Sequence, residues 1–229
     1  MQTQGKLIVI DGTDGSGKAT QTRLLVERLN QEGFTVETIA FPQYGKKSCG
    51  LVEEYLEGKY GGAEEIGPYR ASIFYAVDRY DASFQIHAWL AEGKIVIADR
   101  YVGSNMGHQG GKISDPEERA RYYQWNHQLE HEIFSLPEPA INFVLFVPVE
   151  ISIKLAEQRN AIEGNKHTLK KDIHEENHHH LSAAAQAYLD LTERFDVFER
   201  IDCIHEGTLL SPQTIHEKIW NRLSTLLEA

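Results

Sequence analysis

The chain has 229 residues, with 23 Lys and Arg against 34 Asp and Glu, a net charge of −11 with histidine neutral. Hydrophobic residues make up 41% and charged residues 25%, an ordinary globular composition that excludes disorder, collagen and coiled coil. The acidic excess excludes a broad basic nucleic-acid surface, and an anionic ligand would need a local cluster of cations to hold it.

The first apolar run, residues 7–10, is short, β-branched and continuous, the pattern of a strand buried on both faces. A helix is expected over 18–32, a second strand over Val36–Ala40, and a long helix over 68–92. In that helix Ile73, Val77, Tyr80, Phe84 and Ala88 recur at three and four residues and are expected to face the core. A strand over 95–98, a helix over 116–134, a strand over 141–147 and a helix over 150–159 follow. Residues 160–171, polar and basic, read as a mobile lid or as an ordinary solvated loop. The chain then continues as a helix over 172–194, a weaker strand over 197–204 and a helix over 212–227. Its last stripe, Ile215, Ile219, Leu223 and Leu226, is assigned to packing.

Strands alternating with longer helices imply an α/β fold, a doubly wound parallel sheet of about five strands flanked by helices, with residues 1–229 as one domain. Cys49 and Cys203 lie far apart with no Cys-x-x-Cys pattern, which suits two reduced thiols rather than a disulfide framework or zinc site. The apolar run at 7–10 is too short for a signal peptide, and no segment approaches the ~20 apolar residues of a membrane span. A cytoplasmic protein with no membrane or nucleic-acid partner is expected. His174, His178, His179 and His180 suggest a metal site less than a polar helix face, because no third ligand stands at a defined spacing.

The strongest chemical signal follows the first strand. Gly12-Thr13-Asp14-Gly15-Ser16-Gly17-Lys18 satisfies Gly-x-x-x-x-Gly-Lys between a buried strand and a helix. Glycines let backbone N–H groups turn toward a phosphate, and the helix N-terminus adds its positive end. Gly12, Gly15, Ser16, Gly17, Lys18, Ala19 and Thr20 are the candidate ATP-phosphate-binding residues, with Lys18 reaching the β- and γ-phosphates. The motif ordinarily closes with a Ser or Thr whose hydroxyl binds Mg²⁺, yet Ala19 stands there. Other groups hold the metal, or Thr20 or Ser16 substitutes, or activity is impaired. At the end of the third run, Asp99 and Arg100 fall beyond a strand's carboxyl end, where ligands of open α/β sheets bind. A carboxylate there suits Mg²⁺ and a guanidinium suits a phosphate.

From Ile8 to about Leu191 the chain resembles thymidylate kinases, P-loop nucleoside monophosphate kinases. The resemblance rests on Asp11 to Lys18, Phe41-Pro42-Gln43-Tyr44, Phe74 to Arg79, Asp99-Arg100-Tyr101 to Asn105, and Leu136-Pro137-Glu138-Pro139 leading to Val147-Pro148-Val149-Glu150. It implies transfer of a phosphoryl group from ATP to dTMP with Mg²⁺, in a homodimer. The catalytic set would be Lys18, Asp14, Asp99, Arg100 and Arg159. In the acceptor site Asp14 would touch the 3′-hydroxyl, Arg100 the phosphate, Tyr75 the thymine ring and Arg79 a base carbonyl. Phe41, Tyr44, Asn105, His108 and Gln109 would line the rest, and a side chain near the sugar would exclude a ribose hydroxyl. Asp14 and Asp99 would hold Mg²⁺, directly or through water. Arg159 would reach the ATP side, with Lys166, Lys170 and Lys171 as lid cations. Alternatives are a kinase for dUMP, another nucleotide or a deoxynucleoside, and a catalytically weak nucleotide-binding regulatory module. Three departures stand out: Ala19, Tyr44 where arginine is common, and Phe146 where aspartate is common.

Overall fold

In the computed structural model, which describes residues 5–162 and 171–228, strand β1 (Lys6–Asp11) forms the centre of a parallel sheet. It pairs with β3 (Ile95–Asp99) on one side and β4 (Ile141–Phe146) on the other. Strand β2 (Val36–Ala40) completes one edge and β5 (Phe198–Asp202) the opposite edge, giving the order β2-β3-β1-β4-β5.

Alternation along the strands explains the two layers. Leu7, Val9, Val96 and Ala98 belong to one core, and Ile8, Ile10, Ile95 and Ile97 to the other. The first is covered by α3 (Ala63–Ala91), α4 (Val102–Gly110), α5 (Pro116–His127) and α7 (Lys171–Arg194), the second by α1 (Lys18–Gln31) and α8 (Pro212–Glu228). Because both layers are apolar, the central strands read as continuous hydrophobic runs. At the β2 edge the pattern is looser, and no residue of that strand is fully buried, unlike the expectation from its sequence.

Helix α3 departs most from expectation. Its first turn precedes a break at Gly67, whose φ of 71° favours glycine, and Pro68 then begins the long segment. Ile73, Tyr80 and Phe84 are exposed, as is Ala88, so the apolar stripe faces outward. The inward positions carry Ala71, Ser72, Ala76, Asp78, Arg79, Ala82, Ser83 and Ile86. Small residues there let α3 approach its neighbours, and of the buried polar ones Asp78 and Arg79 line the cleft described below.

Two helices escaped the sequence reading, α2 (Gly50–Leu56) and α4, both short, the second rich in glycine. The helix expected over 116–134 is α5 followed by a π-helical turn, Gln128–Ile133. Asp115 caps α5 by accepting from the Glu118 N–H at 2.7 Å. The strand expected over 197–204 divides into β5 and a small hairpin, β6 (Ile204–His205) and β7 (Thr208–Leu209). Helix α6 (Val149–Ile162) and α7 flank the proposed lid, which lies largely outside the described residues.

Candidate active site

The carboxyl ends of β1, β2 and β3 open into a cleft of about 1000 Å³. Asp14 to Thr20, Phe41, Tyr44, Tyr75, Arg79, Asp99, Arg100, Asn105, His108 and Gln109 all line it. The structure therefore brings together nearly every residue singled out from the sequence. Gly12 shapes the loop from behind; lysines 166 and 170, and the side chains of Arg159 and Lys171, lie outside what the structure describes.

Gly12 and Gly15 adopt φ of 136° and 80°. A Cβ on Gly12 would stand 2.7 Å from the Leu145 carbonyl, and one on Gly15 would stand 2.0 Å from that of Ser152. Both positions need glycine for conformation and for space. Lys18, at the start of α1, donates from Nζ to the carbonyls of Gly12 at 3.1 Å and Thr13 at 2.9 Å. Burial, reinforced by the charge of Arg100, lowers its pKa to about 7.

Burial also pushes the Asp99 carboxyl up, against the pull of Lys18 and Arg100. Ser16 Oγ is buried in the loop with no hydrogen-bond partner among the described residues. Together these oxygens fit a hard cation of the Mg²⁺ type, which binds through one or two carboxylates and substrate phosphates. Ala19 offers no oxygen.

Arg100 takes a left-handed φ of 68°, which turns its guanidinium back over the loop. Nη2 donates to Asp14 Oδ1 at 2.5 Å, and Nη1 lies 3.1 Å from His108 Nε2. His108 in turn stacks on His180 of α7, their centroids 5.5 Å apart. Burial drives the His108 pKa well down, with the Arg100 charge acting in the same direction, so His108 is neutral and accepts from Arg100. His180 thus belongs to the cleft, whereas His178 and His179 are exposed on the polar face expected of them.

Helix α4 is fixed to the sheet by a single carboxylate. Asp11 at the end of β1 is fully buried and accepts from Ser104 Oγ and, at 2.8 Å, from Asn142 Nδ2. One residue on, Asn105 Nδ2 donates to the Ser72 carbonyl at 3.1 Å and to Glu130 Oε1 at 3.0 Å. Glu130, from the π-helical turn, also pairs with Arg79 through Nε and, at 2.8 Å, Nη2. The loop after β2 is tied to α3 by Asp78, which accepts from the Gln43 N–H at 2.8 Å and Ser48 Oγ at 2.7 Å. This presents Tyr44 to solvent, 63% exposed, while Lys46 bonds Gln43 Oε1 at 2.6 Å. Tyr75 is packed edge-on by Tyr55, centroids 6.3 Å apart.

Sequence reasoning missed Lys112, which lines the cleft and donates to Gln109 Oε1 at 2.7 Å and Tyr55 Oη at 3.0 Å. Glu130, Asp78 and His180 were missed as well, because each acts on a residue more than 30 positions away. Among the described residues, no helix is long and apolar enough to cross a membrane.

A family model described as Thymidylate kinase matches residues 10–205. The chain is 30% identical to thymidylate kinase of Mycobacterium tuberculosis (strain ATCC 25618 / H37Rv) over 147 residues, 64% of this chain and 68% of that protein. It is 29% identical to that of Brachyspira hyodysenteriae over 190 residues, covering 79% and 87%. The structure of thymidylate kinase from Candida albicans matches its fold with a TM-score of 0.66, at 23% identity, over 97% of this chain and 92% of that one.

Proposed function

The chain belongs to the thymidylate kinase family, and we propose that its cleft carries out the reaction ATP + dTMP → ADP + dTDP with the residues described above. The observation that carries the assignment of roles is the convergence of two kinds of site on one cleft. One is a glycine loop with Lys18; the other is a wall of Arg100, Tyr75, Arg79 and Asn105.

The loop N–H groups and Lys18 hold the donor phosphates, and Arg100 holds the acceptor phosphate beside them. Tyr75 supplies a face for the base, and Arg79 and Asn105 its polar contacts. Asp14 stands where it accepts from a sugar hydroxyl, and His108, Phe41, Tyr44 and Gln109 fill the space around the sugar and phosphate. Holding both nucleotides in line does most of the work, since phosphoryl transfer needs positioning and charge neutralisation more than covalent help. Asp99, with Asp14 and Ser16 nearby, would hold Mg²⁺, which neutralises charge on the transferring group when bound.

The outward face of α3 supports a homodimer. Ile73, Tyr80 and Phe84 with Ile133 make an exposed apolar patch, Tyr80 packing on Phe84 at 5.3 Å and on Phe134 at 5.1 Å between centroids. Two buried free cysteines suit a reducing cytoplasm.

A coupled ADP-release assay over a panel of nucleoside monophosphates, with and without Mg²⁺, tests the reading. Turnover led by dTMP and dependent on Mg²⁺ is expected; ATP binding without turnover of any monophosphate overturns it.

A further inference from the structure

From the bonds around one buried carboxylate we infer that Glu130 sets which pyrimidine the cleft accepts, by fixing the polarity of the two side chains that read the base. This rests on the thymidylate kinase reading of the cleft. Glu130 is fully buried, yet it lies outside the cleft lining, so it is a positioning residue rather than a catalytic one.

The geometry is specific. Glu130 Oε1 accepts from Arg79 Nη2 at 2.8 Å, Asn105 Nδ2 at 3.0 Å and Asn126 Nδ2 at 3.1 Å, and Oε2 accepts from Arg79 Nε. The same Asn105 Nδ2 donates to the Ser72 carbonyl at 3.1 Å. Both Asn105 donors therefore go to oxygens that can only accept, which assigns the amide nitrogen to that side. Glu130, in the π-helical turn, stands four residues beyond Asn126 of α5, so that carboxylate and amide meet across the junction of the two elements.

The consequence falls on the atoms facing the other way. Among the described residues no hydrogen bond uses Asn105 Oδ1 or Arg79 Nη1, and both side chains line the cleft. The wall thus offers one acceptor, Oδ1, beside one donor, Nη1. Thymine and uracil present the complement, an N3–H donor beside the O4 acceptor. Cytosine presents the reverse, an N3 acceptor beside an amino donor, so two donors and two acceptors would face one another. Arg79 alone does not impose this choice, because a lone guanidinium tolerates N3 of cytosine as an acceptor. The asymmetry comes from the Asn105 amide, and Glu130 holds its orientation.

A Glu130→Gln change keeps the shape and removes one acceptor. Its single oxygen cannot serve Asn105 and both Arg79 donors, so its amide nitrogen opposes a donor on one side or the other. The Asn105 amide, left with only the Ser72 carbonyl to orient it, loses its fixed polarity toward the base, and the preference for thymine over cytosine weakens.

The test measures kcat and KM for dTMP, dCMP and 3-methyl-dTMP with the wild-type protein and E130Q, together with the ATP dissociation constant. For the wild type, kcat/KM for dTMP should exceed that for dCMP and for 3-methyl-dTMP at least ~100-fold. In E130Q the dTMP-to-dCMP ratio should fall at least ~10-fold, mainly through KM for dTMP, with ATP affinity within ~2-fold of wild type. Equal losses on dTMP and dCMP would make Glu130 merely structural and overturn the inference, as would wild-type use of 3-methyl-dTMP at the dTMP rate. If E130Q does not fold, E130D retains the charge but withdraws the carboxylate, and the ratio should fall in the same direction; an unchanged ratio overturns the inference. Failure of the kinase reading itself has a different signature, no turnover of dTMP by the wild type.

Discussion

Arg100 and Asp14 meet across the mouth of the cleft, Nη2 donating to Oδ1 at 2.5 Å, with the arginine 17% and the aspartate 59% exposed. Under the proposed function, a phosphate binding Arg100 competes with Asp14 for its guanidinium. Replacing Arg100 with Ala should lower kcat/KM for dTMP by about 100-fold or more while the ATP dissociation constant moves less than about 3-fold. Steady-state kinetics with isothermal titration separates the two, and equal losses would reject the assignment of Arg100 to the acceptor.

Lys18 makes a second, thermodynamic prediction. With its pKa held at about 7 by burial and by Arg100, it is largely neutral at pH 8. A bound triphosphate favours the ammonium, so ATP binding at pH 8 should take up most of one proton, falling to near zero at about pH 6. Affinity should then weaken as pH rises above 7. Calorimetric titration in buffers of different ionisation enthalpy reads the proton directly, and K18R, which stays charged, should show no such uptake.

Asp99 and Ala19 divide the metal question. If Asp99 carries Mg²⁺, Asp99→Asn should raise the dissociation constant for Mg²⁺ at least ~10-fold in the ATP complex, measured by calorimetry. Ala19→Ser should then give only a modest gain. A large gain from Ala19→Ser would mean that the native site lacks a ligand.

The stacked pair His108 and His180 should make stability fall toward acid. Burial lowers both pKa values below the unfolded value of about 6.5, so between the two values the unfolded chain binds more protons. The stability they contribute is therefore present above about pH 6.5 and is lost as pH falls below it. Scanning calorimetry from pH 7.5 to 5.5 should show Tm falling toward acid, with a shallower slope in H108Q.

The outward face of α3 predicts assembly. Phe84 is 65% exposed beside Tyr80 and Ile133, and a charge placed there should split a dimer without unfolding the chain. Sedimentation of F84E should report a monomer where the wild type is dimeric, with an unchanged circular dichroism spectrum. A monomeric wild type would discard the interface.

The sheet was legible in the sequence because both its faces are buried, which forces β1, β3 and β4 into continuous β-branched runs. The placing of the glycine loop, Asp99 and Arg100 on one cleft was legible because each stands at the end of a strand marked by its own local run. Helix α3 was misread for a physical reason. Its inward face buries Arg79 against Glu130, 51 residues away, so charge occupies a position where periodicity looks for carbon. With that pair hidden, the outward apolar stripe looked like the core. Helix α4 was invisible because Val102–Gly110 is short and carries Gly103, Gly107 and Gly110, poor helix formers; it is held by Asp11, Glu130 and the Tyr188 ring of α7.

Asp11 ties the strand that launches the glycine loop to the helix proposed to read the acceptor. Through Ser104 and Asn142 it acts as a rivet joining three plates, and Gly103 leaves no slack, since a Cβ there would stand 2.5 Å from its carboxylate. The two nucleotide pockets are therefore cut from one frame. Anyone recutting the acceptor side of this enzyme would have to rebuild the joint as well as the pocket wall.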